Sequence, residues 1–598
     1  KLINIGGSIF YSKLRQNNVT DAFIYSGGAV MPLIDSLYNK NIKTYVNANE
    51  FCTGMSAIGY AKSSNKTGVC IVTSGPGITN MITPLLDAKN DSTPLVVFSG
   101  QVPLSAEGTN AFQEAPAVDL TKHVTKWSYK LTDINDMESV INEAFKVANT
   151  GKKGSVHIDI PKCVSYQSVN SIDKCLNNSQ NEFRFSKYKN KFNSEIIDIN
   201  KIQKIGDLIN KSKKPILYIG KGCINASAEL RKFAKIANIP VTSTIHGCGI
   251  FDERDDLSLR WCGMHGYAPA NYSIQEADLI IAIGSRFDDR TTGNLLYYAP
   301  NAIEAGKKGE GGIIHVNIEE SELDFVVKSD YNFCMDSKTF LENIIPYTHF
   351  KERYEWFMYI NDLKKKYPFN LKQTEILDEI GALVAQPLHM EEVIDTIYNK
   401  TLDKDVMFTT GVGNHQMQAY QFIKSQYPNK IISSGSLGVM GAGLPYSIGA
   451  QIANPDKLIV NIDGDSSFNM SLSDLKTIKE HNLPIKIAVM NNNAQMMVTI
   501  WEKLFFEERY TATINEHNPD YVQLAKSYGI ESIKCTNKNS LNAVVDYFIN
   551  YEGPILCEFD IKRDICLPLV GPGKALDDMV LDKSYNDIPI NLGGMAPS

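Results

Sequence analysis

The sequence predicts an α/β protein built as three consecutive doubly wound domains with mainly parallel sheets. Three observations predict it. Short β-branched strands alternate with helical patterns in three separate runs, a rhythm that calls for parallel strands joined by crossover helices. Two long polar stretches, 166–198 and 351–387, separate the runs. A length of 598 residues suits three or four domains of ordinary size.

The first run gives a domain over 1–165, with strands at 21–25, 68–73 and 94–98. The stretch 166–198 is rich in Asn, Ser and Lys and reads as a linker. The second domain covers 199–350, with strands at 215–220, 278–284 and 312–316. The stretch 351–387 is charged, with aromatic residues interspersed, and reads as a helical linker. The third domain covers 388–570, with strands at 457–463 and 485–490. Periodicity fades after 570, so 571–598 reads as a C-terminal tail or lid. Three α/β units of similar size amount to a weak repeat at domain scale.

Composition narrows the function classes. Hydrophobic residues at 43% and charged residues at 21% are those of a globular chain. A formal net charge of -7 argues against nucleic acid as partner, because a phosphate backbone is normally met by a basic stripe. An anionic small substrate needs only local positive charge and stays open. The 11 cysteines are odd in number and form no CxxC pair, which fits neither a zinc site nor a disulfide framework and suggests a reducing compartment. No apolar run reaches the length of a membrane span, so no membrane association is expected.

The strongest chemical signal is Asp463-Gly464-Asp465-Ser466 followed by Met490-Asn491-Asn492. Asn492 stands 27 residues after Asp465. Alone, Gly-Asp is a turn and Asn-Asn a loop. Together, each just past a predicted strand, they fall on the carboxyl edge of a parallel sheet, where ligands bind. A carboxylate and an amide oxygen suit a hard cation such as Mg²⁺ that keeps phosphate oxygens in its shell. The pattern matches the thiamine-diphosphate motif.

Further segments occur in a fixed order: Tyr25-Ser26-Gly27-Gly28-Ala29, Thr73-Ser74-Gly75-Pro76-Gly77-Ile78-Thr79-Asn80, Gly100-Gln101-Val102-Pro103, and Gly108-Thr109-Asn110-Ala111-Phe112-Gln113-Glu114. Arg286-Phe287-Asp288-Asp289-Arg290, Gly411-Val412-Gly413-Asn414-His415-Gln416-Met417 and Met497-Val498-Thr499-Ile500-Trp501 follow. Over roughly residues 6 to 570 the chain resembles the acetohydroxyacid synthase (acetolactate synthase) family. The resemblance implies pyrimidine-binding, central FAD-binding and diphosphate-binding domains, in that order. It implies that pyruvate is decarboxylated on thiamine diphosphate and joined to pyruvate or 2-ketobutyrate, in branched-chain amino-acid biosynthesis.

By that resemblance Asp465 and Asn492 ligate Mg²⁺, with the main-chain oxygen of Ala494 as third protein ligand. Glu50 is the catalytic carboxyl set against the aminopyrimidine, and Gln113, paired with Phe112, is a second catalytic residue. Met440 props the cofactor in its bent form and the Gly438 carbonyl accepts from its amino group. Val412, Gly413, Asn414, His415, Gly464 and Met497 complete its contacts. Arg290, Trp501 and Phe112 receive the second keto acid, Lys204 stands at the entrance, and Gly28 and Ala29 belong to the substrate side. Gly220, Gly222, Gly263, Met264, His265, Gly284, Arg286 and Asp288 hold a mainly structural FAD. Taken alone, Glu50 reads as a surface residue, Met440 and Trp501 as core, and Gly220-Lys221-Gly222 as weak evidence.

The family also implies a homodimer or tetramer with its active site between subunits, and a separate small regulatory subunit. It suggests the mitochondrial or plastid matrix, with a targeting peptide outside this chain, or the cytoplasm in a prokaryote. Five places depart from the family. Asn49 and Phe51 flank Glu50 where His and Gln are usual, and Phe51 would make that pocket more apolar. Met496 stands where Gly is usual, Asn317 replaces an acid that binds a ribose, and Gly571-Pro572 shifts a proline near the tail. A pyruvate oxidase, a glyoxylate carboligase, a simple decarboxylase and a catalytically weak regulatory paralogue remain as alternatives. The absence of a His-His pair speaks against the decarboxylase, and the presence of Glu50 against the glyoxylate enzyme.

Overall fold

A computed structural model describes residues 5–166, 197–369 and 387–581. It contains three six-stranded sheets in which every paired strand runs parallel. The first holds β1 (Asp21–Tyr25), β2 (Lys43–Val46), β3 (Gly68–Val72), β4 (Leu95–Gln101), β5 (Trp127–Lys130) and β6 (Ser155–Pro161). The second holds β7 (Pro215–Ile219), β8 (Val241–Ser243), β9 (Ser258–Trp261), β10 (Leu279–Ile283), β11 (Gly312–Asn317) and β12 (Tyr331–Cys334). The third holds β13 (Val406–Thr410), β14 (Ile431–Ile432), β15 (Leu458–Gly464), β16 (Lys486–Asn491), β17 (Glu531–Cys535) and β18 (Ile555–Asp560). Central strands such as β3, β7 and β10 are buried along their whole length, as strands covered by helices on both faces must be.

Strand order separates the three units. The first sheet runs β2-β1-β3-β4-β6-β5 and the third β14-β13-β15-β16-β18-β17, which is the same order. The second runs β12-β11-β10-β7-β8-β9, the order of a dinucleotide-binding fold. The domain-scale repeat is thus a true likeness between the outer two units, while the middle one differs. Each sheet has a reversal beside its first strand, between β1 and β3, between β7 and β10, and between β13 and β15, and in the outer two sheets the last two strands are swapped as well.

The first and third units share one core. Tyr60, Met81 and Leu85 pack in the same cluster as Leu444, Tyr446 and Ile448. The helix Glu50–Ser64 lies against the helix Gly443–Ala453. A Cβ on Gly59 would stand 2.3 Å from the Tyr446 carbonyl oxygen, and one on Gly449 would stand 1.8 Å from that of Ser56. Only glycine allows so close a backbone approach. Asn49 caps the first of these helices, its side chain accepting from Cys52 N at 2.8 Å. Asn at this position therefore does work of its own.

Most of the 166–198 stretch lies outside the described residues. From 351–387 the structure describes a helix, Tyr354–Lys366, whose Trp356 and Ile360 are buried in a middle-domain cluster. The Arg353 guanidinium fixes its start by donating to the carbonyls of Ile209, Ser212 and Ala237. Of the tail, 571–581 folds back: β19 (Leu569–Val570) pairs antiparallel with β20 (Met579–Val580), and Leu576 is fully buried.

Candidate active site

The third sheet carries the Asp465 and Asn492 segments on its carboxyl edge. Register pairs Gly464 of β15 with Met490 of β16, so Asp465 and Asn492 emerge just past the ends of neighbouring strands. The glycine turn Gly411-Val412-Gly413 leaves β13 beside them. A Cβ on Gly411 would stand 1.8 Å from Asp463 Oδ1, and Gly413 has φ 146, so both positions demand glycine. The helix Asn414–Phe422 then starts and offers its amino-terminal N–H groups to an anion. His415 packs on Gly464, whose Cβ would lie 2.7 Å from the ring Nδ1.

Among the described residues, three buried polar atoms along this edge lack a hydrogen-bond partner, Thr410 Oγ1, Asn414 Oδ1 and Asp463 Oδ2, and His415 Nε2 has only Asp463 Oδ1, 3.4 Å away. Buried polar groups are normally satisfied, so a row of orphans marks a place completed by a polar ligand. Turn, helix end and orphans together fit a diphosphate.

Asp465 opens the helix Asp465–Asn469 and is almost fully buried. Its Oδ2 accepts from Asn515 Nδ2 at 2.8 Å and from Asn518 Nδ2 at 2.7 Å. Burial nevertheless pushes its pKa above the ordinary carboxylate value. Asn492 Oδ1 accepts from Ala494 N at 3.2 Å. The Arg563 guanidinium donates to the carbonyls of Asn492 at 2.9 Å and Asn493 at 3.1 Å. Among the described residues no cluster of three His, Cys, Asp or Glu side chains forms a metal site. One carboxylate, one amide oxygen and one main-chain oxygen nonetheless fit a hard cation. Sequence reasoning missed Asn515, Asn518 and Arg563, and the only signal was the polar run after Thr513.

Gly438, with φ 71, and half-buried Met440 lie on the loop after β14. The first domain holds that loop, since Gly435 N and Ser436 N both donate to the Asp91 carboxylate, at 3.1 and 2.9 Å. Val412 reaches it too, its Cγ1 lying 3.9 Å from where a Gly438 Cβ would stand. Glu50 is buried at the start of its helix, and its Oε2 accepts from Asn80 Nδ2 at 3.0 Å. The neighbouring Phe51 ring reaches within 3.7 Å of a Gly441 Cβ position, so it packs into the joint between domains. Asn47 Nδ2 and Ala48 N brace this segment by donating to Asp474, each at 2.8 Å.

Gln113 has φ 61 and sits against Gly75, where a Cβ would lie 3.0 Å from its own. The Glu114 carboxylate closes the loop by accepting from Gly108 N at 2.6 Å and Ala111 N at 3.2 Å. Phe112 projects from that loop, 87% exposed. Among the described residues, nothing beyond its chain neighbours lies within 4 Å of a Cβ built on Gly28, and the Ala29 main chain passes 2.7 Å from one built on Gly100. Trp501 is half-buried on the helix Met496–Phe505 and tilts on Phe505, 5.4 Å between ring centres. Met497 is half-buried on the same helix, and Met496 starts it, so position 496 needs no left-handed backbone; Asn493 supplies that instead, with φ 52. Arg290 is exposed, with Nη1 3.5 Å from Met264 Sδ.

Lys204, expected at the entrance, stands on the middle domain. Its ammonium lies 5.4 Å over the ring of Tyr331, the first residue of β12, at the amino edge of the middle sheet. The helix Ile199–Lys211 buries Ile202, Ile205 and Ile209 in the middle core, which fixes Lys204 on that far side.

In the middle domain, Gly220 and Gly222 meet Gly284 at the reversal between β7 and β10. A Gly220 Cβ would stand 2.2 Å from the Gly284 carbonyl oxygen, and Gly222 N donates to that oxygen at 3.1 Å. Arg286 Nη2 donates to Ser436 Oγ at 2.6 Å, and half-buried Asp288 has its pKa raised by desolvation. Gly263 has φ 121, Met264 N donates to the Arg290 carbonyl at 2.8 Å, and His265 Nδ1 lies 3.1 Å from the Pro568 carbonyl with Nε2 left as a buried orphan. Glycines at the reversal of this strand order fit a dinucleotide. Asn317 spends both ends of its amide on its own backbone, donating to the Ser285 carbonyl and accepting from Glu319 N. It is thereby occupied otherwise than a ribose-binding acid.

Three family descriptions match in order: "Thiamine pyrophosphate enzyme, N-terminal TPP binding domain" at 5–122, its central domain at 202–344, and its C-terminal TPP binding domain at 411–559. The mitochondrial acetolactate synthase catalytic subunit of Saccharomyces cerevisiae is 39% identical, over 96% of this chain and 83% of its own. The acetolactate synthase large subunit of Cyanidium caldarium is 36% identical, over 97% of both chains. The chloroplastic acetolactate synthase of Arabidopsis thaliana is 35% identical, over 96% of this chain and 84% of its own. The chain therefore belongs to the acetolactate synthase (acetohydroxyacid synthase) family of thiamine-diphosphate-dependent enzymes, on the side of its catalytic subunits.

Proposed function

We propose that this enzyme works at the carboxyl edge of the third sheet, with pyruvate as donor and pyruvate or 2-ketobutyrate as acceptor. Asp465, Asn492 and the Ala494 carbonyl hold Mg²⁺. The donors of Val412, Gly413, Asn414 and His415, with Gly464 beside them, hold the diphosphate. Thiamine diphosphate supplies the electron sink for decarboxylation. Glu50 holds and moves the proton at the aminopyrimidine N1′, its other oxygen being fixed by Asn80. The Gly438 carbonyl accepts from the amino group, and Met440 and Met497 provide apolar contact.

Arg290 clamps the acceptor carboxylate. Its guanidinium is exposed and only loosely engaged, 3.9 Å from Asp289, which leaves its fork for a carboxylate. Phe112 and Gln113 meet the acceptor from their braced loop, and Trp501 favours the larger ethyl group. Phe112 gains a use for its exposure when a second copy covers it, so the active unit is a homodimer or a tetramer of such dimers. The middle domain binds FAD at the Gly220, Gly222 and Gly284 reversal, with a structural role. Relatives named as catalytic or large subunits support a separate small regulatory subunit. Relatives named as mitochondrial or chloroplastic support an organellar matrix.

The observation that carries this reading is the register of Gly464 with Met490, which brings Asp465 and Asn492 to the edge where His415 packs on Gly464 and Asn414 Oδ1 is left without a partner. Purified chain with pyruvate, thiamine diphosphate, Mg²⁺ and FAD tests it. Acetolactate formed only with Mg²⁺ and thiamine diphosphate is expected, with acetohydroxybutyrate when 2-ketobutyrate is added. Acetaldehyde or tartronate semialdehyde as the main product, or turnover indifferent to Mg²⁺, overturns it.

A further inference from the structure

We infer that Asn518 is a positioning residue that clasps the two cation-holding arms together and sets the site's preference for Mg²⁺. The inference rests on the reading of Asp465 and Asn492 as ligands and extends it to a residue that touches neither cofactor nor substrate.

Asn518 lies between the helices Met496–Phe505 and Tyr521–Ser527. Its Nδ2 stands within bonding reach of three acceptors: Asp465 Oδ2 at 2.7 Å, Asn491 Oδ1 at 3.1 Å and Asn493 Oδ1 at 3.0 Å. One acceptor belongs to the first arm. The other two flank Asn492 on the second. A single side chain therefore spans both arms and grips the second on either side of its ligand.

The polarity of this clasp is fixed from outside. Asn518 Oδ1 accepts from Asn469 Nδ2 at 3.1 Å, and Asn469 Oδ1 accepts from the Tyr521 hydroxyl at 3.0 Å. A phenol donates readily to a carbonyl, so the chain of bonds runs one way, from Tyr521 through Asn469 to Asn518 and on to the arms. The amide can present only its N–H side to Asp465. With Asn515 also donating to Asp465 Oδ2 at 2.8 Å, that oxygen is saturated and the carboxylate cannot turn. Oδ1 is left as the oxygen for a cation, which enforces one-oxygen ligation.

Such restraint matters for one kind of ion. Mg²⁺ demands near-ideal octahedral geometry, whereas Ca²⁺ accepts looser shells and two-oxygen carboxylates. Removing a residue that orients a ligand typically weakens metal affinity about 10–100-fold. Loss of Asn518 frees Asp465 to rotate, so Mg²⁺ suffers and Ca²⁺ suffers far less.

The test is calorimetric titration of Mg²⁺ and of Ca²⁺ into full-length protein saturated with thiamine diphosphate. The parent is compared with Asn518→Ala, with Asn518→Leu (nearly the same volume, no donors), and with Asp465→Ala as control. Thermal unfolding of the cofactor-free proteins is recorded alongside. The expected result is loss of Mg²⁺ binding in Asp465→Ala. Both Asn518 variants should bind Mg²⁺ about 10–100-fold more weakly, with a smaller loss for Ca²⁺ and an unfolding temperature close to the parent's. Asn518 variants that bind Mg²⁺ as the parent does, beside a dead Asp465→Ala, overturn the clasp alone. Equal losses for both cations, or unfolding of both Asn518 variants, overturn it in favour of a general structural role. An Asp465→Ala protein that binds Mg²⁺ normally overturns the ligand reading itself.

Discussion

Gly59 and Tyr446 meet backbone to backbone: a Cβ on the glycine would stand 2.3 Å from the tyrosine carbonyl oxygen. The contact joins the first domain to the third within one core. On an exposed helix, Gly→Ala stabilises by about 1 kcal/mol. Here the sign reverses, because the methyl meets main chain that cannot yield without parting two helices. Gly59→Ala should lose about 1–3 kcal/mol, the range of an overpacked core. Denaturant unfolding measures it, and a gain in stability would show that the helices are not in contact.

Glu50→Gln keeps an oxygen for the Asn80 amide and removes the proton-carrying group. Turnover should fall at least about 100-fold, the lower end of what a positioned acid–base group supplies. Mg²⁺ and thiamine diphosphate should still bind with parent-like affinity, as fluorescence titration would report. Undiminished turnover refutes the catalytic assignment.

Trp501→Leu keeps an apolar side chain on the helix Met496–Phe505 and removes the indole beside Phe505. If the indole fills space next to an ethyl group, the shorter side chain should lower the proportion of acetohydroxybutyrate in mixed-substrate assays. The loss should be about tenfold, the scale of one methylene in a hydrophobic pocket. An unchanged product ratio removes Trp501 from the specificity site.

The sequence made the sheets legible where strands are continuous apolar runs, as in β3, β7 and β10, and hid them where they are short or wet. β14 has two residues, and β2 carries exposed Lys43 and Thr44 on an edge. Strand order was not legible, because crossover connections leave no local mark; the likeness of the outer two domains and the distinct middle one emerged only from pairing. Asp465 and Asn492 were readable because each follows a strand directly. Asn518 and Arg563 were not, since they reach the arms only through tertiary contact. Phe51 was legible as an apolar neighbour of Glu50, whereas the place of its ring, at the domain joint beside Gly441, was not. The surroundings of Lys204, over the Tyr331 ring, were not legible either, since a weakly similar segment says nothing about which sheet edge a helix serves.

A buried polar cluster in the first domain yields the pH prediction. Ser99 Oγ donates to Asp159 Oδ1 at 2.7 Å and lies 2.7 Å from His157 Nε2, which must then be the protonated ring nitrogen. Nδ1 accepts from Thr121 or Ser128. Burial lowers His157 to about 3 and raises Asp159 to about 6. The two shifts act oppositely on stability. Between about pH 3 and its ordinary value of 6.5, His157 binds a proton only when unfolded, so its contribution is present above that window and lost as pH falls. Between 3.8 and about 6, Asp159 binds a proton only when folded, so its contribution is present below that window and lost as pH rises. In the parent the two slopes largely cancel where the windows overlap. Asp159→Asn should expose the histidine slope, with urea stability rising with pH, and His157→Gln should expose the opposite one. Parallel slopes in the two variants would mean that neither group titrates with folding, and that the cluster is held by its hydroxyl bonds alone.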